Sequence, residues 1–160
     1  MSLDINSPLG QNSLAQEQKL LRALEASFPG ITIVQTIKRS PADVDGFGLK
    51  NGYIVFLFES KCRNLTRERL RNQFDDEWLL TFDKLMDGAE ISKRLCIPFY
   101  GFLYLISDDK GLAIKLTDSN GQLQPQIRLE RTETQRTING GLITRTNAYV
   151  KVTNSKEFLV

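Results

Sequence analysis

Asp45-Gly-Phe-Gly-Leu-Lys-Asn-Gly-Tyr-Ile-Val-Phe-Leu-Phe-Glu59-Ser-Lys61 is the stretch on which both the fold and the chemistry turn. Its centre, Asn51-Gly52, is a tight-turn dipeptide of the hairpin type, because both residues tolerate positive φ. Six apolar residues follow in succession, Tyr53 to Phe58, the pattern of a strand buried on both faces. The run stops abruptly at Glu-Ser-Lys. On a pleat, residues 59 and 61 project to the same face, so a carboxylate and an ammonium stand side by side where a buried strand emerges. If the segments on either side of the turn pair, Asp45 reaches the same end of the sheet as Glu59.

Outward from this hairpin, the spacing predicts a helix from about Leu14 to Phe28, with Ser13 and Gln16 as a capping box and Pro29-Gly30 as its stop. Residues 1–12 are polar, with Asn6, Pro8 and Gly10 among them, and read as a loose arm. Ile31 to Ile37 alternates and is β-branched, hence a strand. The segment from Pro41 to Gly48 reads as a turn leading into extended chain. Beyond the hairpin, Trp78, Leu79, Phe82, Leu85 and Met86 recur at 3- and 4-residue spacing, predicting a helical region from about Thr66 to Leu95, broken near Gly88. Phe99 to Ile106 and Leu112 to Leu116 read as strands joined by an Asp-Asp-Lys-Gly turn. The C-terminal third reads as β, with Gln126 to Arg131 and Leu142 to Val152 separated by Asn139-Gly-Gly. This order predicts a single mixed α/β or α+β domain over residues 1–160, with its core at about 14–116 and a β-rich extension over 117–160.

Composition narrows the chemistry. The chain of 160 residues is 41% apolar and 25% charged, with a formal net charge of +2, an ordinary globular mix long enough to bury a core. It contains no histidine, which excludes Ser-His-Asp and Cys-His catalysis and His-ligated zinc within the chain. Its two cysteines, Cys62 and Cys96, are too few for a disulfide framework or a four-thiolate zinc site. The N-terminal residues lack a charged start followed by an apolar run, and no apolar stretch approaches the ~20 residues of a membrane span. A soluble cytoplasmic protein with no membrane partner is expected.

With histidine absent, two carboxylates converging with one lysine suit a hard divalent ion such as Mg2+. Asp45 and Glu59 would hold it, and Lys61 would orient or deprotonate a water and offset charge on a phosphate. The bland alternative for Glu59 and Lys61 is a solvated surface pair. A further carboxylate comes from the first helix, where Glu17 falls in the middle of the sector formed by Leu14, Leu20, Leu21, Leu24 and Phe28. A Glu there is costly to bury unless it is paired or faces a metal, so Glu17 is a candidate for the same site; an outward-reaching stem or a salt bridge is the alternative. Glu25 lies toward the rim of that sector.

Charge is segregated along the chain. Residues 61–71 carry Lys61, Arg63, Arg67, Arg69 and Arg71 against Glu68, whereas residues 75–90 carry six carboxylates against Lys84. A basic segment flanking a candidate metal site is the footprint of phosphate recognition. Arg63, on the face of Glu59 and Lys61, could clamp a phosphate bidentately. Pairing of the basic segment with the acidic one is the competing explanation for Arg67 and Arg71. Arg128, Arg131, Arg136 and Arg145 lie in the C-terminal third, where a β-hairpin gripping DNA and a polar edge hairpin or dimerisation arm are both consistent with the pattern. The aromatic run at Phe99 to Tyr104 suggests base stacking, but Phe102, Tyr104 and Trp78 are assigned to packing.

The order helix with Glu17, then Pro41-Ala-Asp-Val-Asp45-Gly, then apolar strand, then Glu59-Ser-Lys61, then a helical region and further strands resembles the PD-(D/E)xK nuclease superfamily, over about residues 14 to 116. The resemblance implies a restriction-endonuclease-like central mixed sheet flanked by helices. It also implies a Mg2+-dependent endonuclease, with Mn2+ substituting, that acts on DNA. Asp45 and Glu59 would be metal ligands, the Ser60 backbone carbonyl would complete the coordination, and Lys61 would orient the water. In this chain the Pro is not adjacent to an Asp, so Asp43 and Asp45 compete for the first position, and Asp45 is preferred because it precedes the Gly. Cutting both strands with one site per chain would favour a homodimer or higher homo-oligomer.

Overall fold

The computed structural model describes residues 6–38, 42–136 and 142–160. The first helix, α1 (Pro8–Ser27), begins a turn and a half earlier than the capping-box reading placed it. Ser7 is the N-cap, its side chain accepting from the Gly10 N–H, and Pro8 sits at the first helical position, where a missing N–H costs nothing. Residues 6–12 are therefore helix start rather than loose arm, and residues 1–5 lie outside the described set. The helix stops at Phe28, and Gly30 takes a positive φ on the way into β1 (Ile31–Gln35).

β2 (Gly46–Lys50) and β3 (Tyr53–Arg63) form the hairpin around Asn51-Gly52, both at positive φ. The remaining elements are α2 (Arg67–Gln73), β4 (Glu77–Thr81), α3 (Phe82–Leu95), β5 (Phe99–Leu105), β6 (Lys110–Thr117), β7 (Ile127–Arg136), β8 (Leu142–Lys151) and β9 (Lys156–Leu159). Six strands make a mixed sheet in the order β1-β2-β3-β5-β6-β9, in which β3 and β5 run parallel and every other pair is antiparallel. β4, β8 and β7 form a second, antiparallel sheet. The chain is thus mixed α+β, with helices on both faces of a mixed sheet.

Two expectations are corrected. The region from Thr66 to Leu95 is two helices with a strand between them, and it is continuous at Gly88. The break comes at Asp75 and Asp76, both at positive φ, a conformation that Asp tolerates better than most residues. Trp78 and Leu80 are then buried and Leu79 exposed, the period-2 alternation of a strand. Second, burial along β3 is shifted toward its polar end. Tyr53 is 76% exposed at the hairpin tip, whereas full burial runs from Leu57 through Ser60.

The two faces of the main sheet bury separate clusters. Even-numbered residues of β3 face α1, where Leu20, Leu21 and Leu24 pack with Phe58, Phe102, Tyr104 and Phe158. Phe158 comes from β9, so the last strand closes this layer. Odd-numbered residues face α3 and the small sheet, where Leu57 joins Leu85, Trp78, Leu103 and Val150. Gly101 makes that contact close: a Cβ there would stand 2.2 Å from Trp78 Cζ3, so only glycine lets the indole lie on β5. Burying a large aromatic contributes about 1.5–3 kcal/mol. Gly101 is also the register neighbour of Glu59, so the same packing dries the head of the candidate site.

Candidate functional site

Two charge clusters meet at the end of β3, one on each face. On the α1 face, Ser60 is the hub. Its backbone N–H donates to Asp45 Oδ2 at 2.8 Å, and its hydroxyl lies 3.1 Å from both Asp45 Oδ2 and Glu17 Oε1. Lys38, three residues beyond β1, donates to Glu17 Oε1 at 2.7 Å and stands 3.9 Å from Asp45 Oδ1. Burial pulls the Lys38 ammonium down, but the hydrogen bond to Glu17 and the charges of Asp45 and Glu17 more than offset this, leaving it above its ordinary value. These groups line an open cleft of about 420 Å³ with Lys61, Cys62 and Arg63 along one wall.

On the α3 face, Glu59 is 1% exposed. Neither of its carboxylate oxygens accepts a hydrogen bond; Lys61 Nζ stands 3.2 Å from one and Lys84 Nζ 3.5 Å from the other. Burial pushes the Glu59 carboxyl up, the nearby Asp45 charge adds to this, and Lys61 and Lys84 oppose it, leaving the group above the ordinary carboxylate value. Lys84 is itself held by the Ala42 carbonyl at 2.6 Å, which ties α3 to the loop carrying Asp45.

Asp45, Glu59, Ser60, Lys61 and Glu17 therefore gather at one end of the sheet. Asp43 is exposed, whereas Asp45 turns inward onto Ser60. Glu17 approaches from the opposite face to Glu59 and is engaged by Lys38 and Ser60. Among the described residues, no group of three carboxylates or thiols converges as a metal-ligand set. Asp45 and Glu59 offer only oxygen, the donor type a hard cation takes, but lysine ammonium groups already face both Glu59 oxygens, and Ser60 and Lys38 engage Asp45.

Arg63 lies beside the site. It is exposed at the end of β3, with Nη1 on the Cys62 carbonyl at 3.0 Å. Arg69 is exposed on α2, its Nε donating to Gln73. Arg145 is exposed on β8, and for Arg136 the backbone pairs with Leu142 while the side chain lies outside the described residues, as does the Asn139-Gly-Gly turn. Arg67 is different. It is buried, bound to both oxygens of Asp76 and to Glu157 Oε1 at 3.2 Å, and its own N–H donates to Asp108. Its charge is spent inside the fold, clamping α2 to the C-terminal strand. Arg128 is likewise held by Glu77 and Glu130, with its guanidinium over the Tyr149 ring.

Lys38 and Lys84 belong to the site and were not singled out from the sequence. Lys38 lies 21 residues from Glu17 and Lys84 is likewise distant in sequence from Glu59, and a lone lysine carries no periodic signal. Among the described residues no helix is long and apolar enough to cross a membrane. No protein-family model matches the chain, and no curated protein is similar enough to match it.

Proposed function

We propose that this chain hydrolyses DNA phosphodiester bonds in a Mg2+-dependent reaction, as an endonuclease of the PD-(D/E)xK type. One observation carries the proposal: the buried Glu59 carboxylate faces Lys61 and Lys84 at the end of the central strand, while Asp45 is held on the adjacent residue, Ser60. Asp45 and Glu59 are the residues that would hold the ion, with the Ser60 backbone as third donor, and Mn2+ would substitute. When bound, the cation would supply Lewis-acid neutralisation of a phosphodiester oxygen.

The chain's own residues do the rest. Lys61, which lines the cleft and has its ammonium 3.2 Å from Glu59, orients the attacking water and offsets charge building on the phosphate. Arg63 binds the flanking phosphate through its planar fork. Glu17 and Lys38 act by positioning, since they hold Ser60 and Asp45 rather than face the reacting atoms. One such site per chain cuts one strand, so a double-strand break would take a second copy.

A second possibility is a nuclease-fold protein that binds DNA without cutting it. It is favoured by the charge balance of the site, where Lys61 and Lys84 already face Glu59, and Lys38 faces Glu17 and Asp45. Cleavage of supercoiled, linear, branched and single-stranded DNA with Mg2+ or Mn2+, against an EDTA control, separates the two. Metal-dependent products support hydrolysis. Salt-sensitive binding with no product from any of the four forms selects the silent binder.

A further inference from the structure

A second hollow adjoins the candidate site on the dry face of β3. It has a volume of about 580 Å³ and lies between α2, β4 and β8. Arg63 lines both this hollow and the cleft around Ser60. Leu103, at its floor, is the register neighbour of Lys61. Trp78, in its wall, lies over Gly101, the register neighbour of Glu59. The hollow therefore begins one strand-width from the reacting groups, and Arg63 marks the passage, about 7 Å along the strand from Lys61.

Its lining is not that of a phosphate groove. Phe74, Trp78 and Tyr149 bring three aromatic rings to it and Asn64 a side-chain amide, and of its two carboxylates, Asp75 and Glu77, the second is paired with Arg128 and Lys151. Phe74 is 46% exposed, an apolar ring held in solvent at the mouth. Trp78 is 2% exposed, its ring packed on Gly101 and its indole N–H buried without an acceptor. Arg128 stacks on Tyr149 with its centre 4.1 Å from the ring, setting a cation beside the aromatic wall. The open Phe74 ring and the Arg128 guanidinium plane are surfaces on which a nucleobase stacks, and Asn64 can meet its edge. A paired duplex would present only sugar and phosphate to such a hollow, with its bases turned inward.

We infer that this hollow, entered past Arg63, holds an unpaired nucleobase next to the phosphate bound at the cleft, so that the substrate is single-stranded or locally unpaired DNA. The inference deepens the phosphodiesterase proposal and rests on it for the identity of the polymer. Stacking is worth about 1–3 kcal/mol per base, a factor of roughly 5–150 in affinity. Trp78 is the only tryptophan in the chain, so its emission reports directly on the hollow.

The test is titration of the full chain with a 12-nucleotide single strand in EDTA, where binding is read without cleavage. The same strand with abasic sites and the corresponding duplex serve as comparisons. The expected result is saturable quenching of Trp78 emission by the single strand. Binding should weaken at least about fivefold in Phe74→Ala, be retained in Phe74→Tyr, and weaken for the abasic strand with wild type. Thermal melting of each variant establishes that it folds. If Phe74→Ala and the abasic strand bind as tightly as wild type with the intact strand, or if duplex quenches Trp78 equally, the base-binding hollow is refuted, whatever the chain cuts. If the Phe74 and abasic effects appear but no metal supports cleavage, the hollow stands as a binding site and the hydrolase proposal falls instead.

Discussion

Replacing Arg67 with alanine removes a charge that the fold has already used. The guanidinium side chain is 7% exposed and binds Asp76 through two nitrogens and Glu157 through the third. Removing one partner of a buried ion pair costs about 3–5 kcal/mol, because the other charge is stranded. Here Asp76 is only 15% exposed, while Glu157 is 42% exposed and also faces Lys110 at 3.7 Å, so one of the stranded carboxylates regains water. The expected loss is therefore at or below the low end of that range, about 2–3 kcal/mol, or a fall in melting midpoint of roughly 4–12 °C. The loss has a pH signature. Burial pushes the Asp76 carboxyl up, but the hydrogen bond and charge of Arg67 outweigh it and hold the group below its ordinary value. A depressed carboxyl stabilises the fold at pH values above its unfolded pKa, and that contribution disappears as pH falls through the folded value. The gap between wild type and Arg67→Ala should therefore be constant from pH 7 to about pH 5 and narrow below about pH 4. Urea unfolding across this range measures it. A variant as stable as wild type at pH 7 but impaired in DNA binding would refute the internal-clamp assignment and return Arg67 to the nucleic-acid interface.

Three further outcomes follow from the same geometry. The Cys62 thiol is pushed up to about 11, first by burial and then by the nearby Glu17 charge, whereas Cys96 is exposed. A thiol reagent at pH 8 should modify Cys96 quickly and the half-buried Cys62 slowly, and equal rates would contradict the raised Cys62 thiol. Glu25 Oε1 accepts from the Ile33 N–H at 2.8 Å, a backbone donor on β1, the edge strand of the main sheet. Glu25→Ala should open that edge and raise self-association in sedimentation velocity; a variant that sediments as wild type does at every concentration would show that the edge is guarded otherwise. Gly101→Val should destabilise the fold by about 1–3 kcal/mol through overpacking against Trp78, with a shift in Trp78 emission, and unchanged emission and melting would place the indole elsewhere.

How far the sequence reveals this molecule depends on the range of the interactions. The Asn51-Gly52 hairpin, the strand ending in Glu-Ser-Lys and the paired strands of the C-terminal third are written in local patterns of turn residues and alternation, and they are legible. β4 is not, because Trp78-Leu-Leu satisfies both a 2-residue and a 3-to-4-residue period; two consecutive left-handed aspartates, Asp75 and Asp76, decide against the helix. β9 is a four-residue strand that exists because β6 offers it an edge. Glu17 was legible as a carboxylate in the middle of an apolar stripe, and the structure brings it to Ser60. Lys38 and Lys84 were not, since only the tertiary fold carries them to Glu17 and Glu59. Arg67 shows the reverse failure: in sequence it is one of five cations in a basic run, and only burial distinguishes it from its neighbours.

The most direct test of the central claim is single-turnover cleavage of a DNA substrate by wild type, Glu59→Gln and Lys61→Ala, each with Mg2+ and with EDTA. Glu59→Gln keeps the shape of a buried side chain while removing its charge, so a folded variant isolates the chemistry from the packing. Metal-dependent cleavage by wild type, with each variant slowed by about 100-fold or more, a loss of the size general acid–base groups supply, is the predicted result. Cleavage by Glu59→Gln at the wild-type rate, or at a rate indifferent to EDTA, would contradict a metal-dependent site built on Glu59.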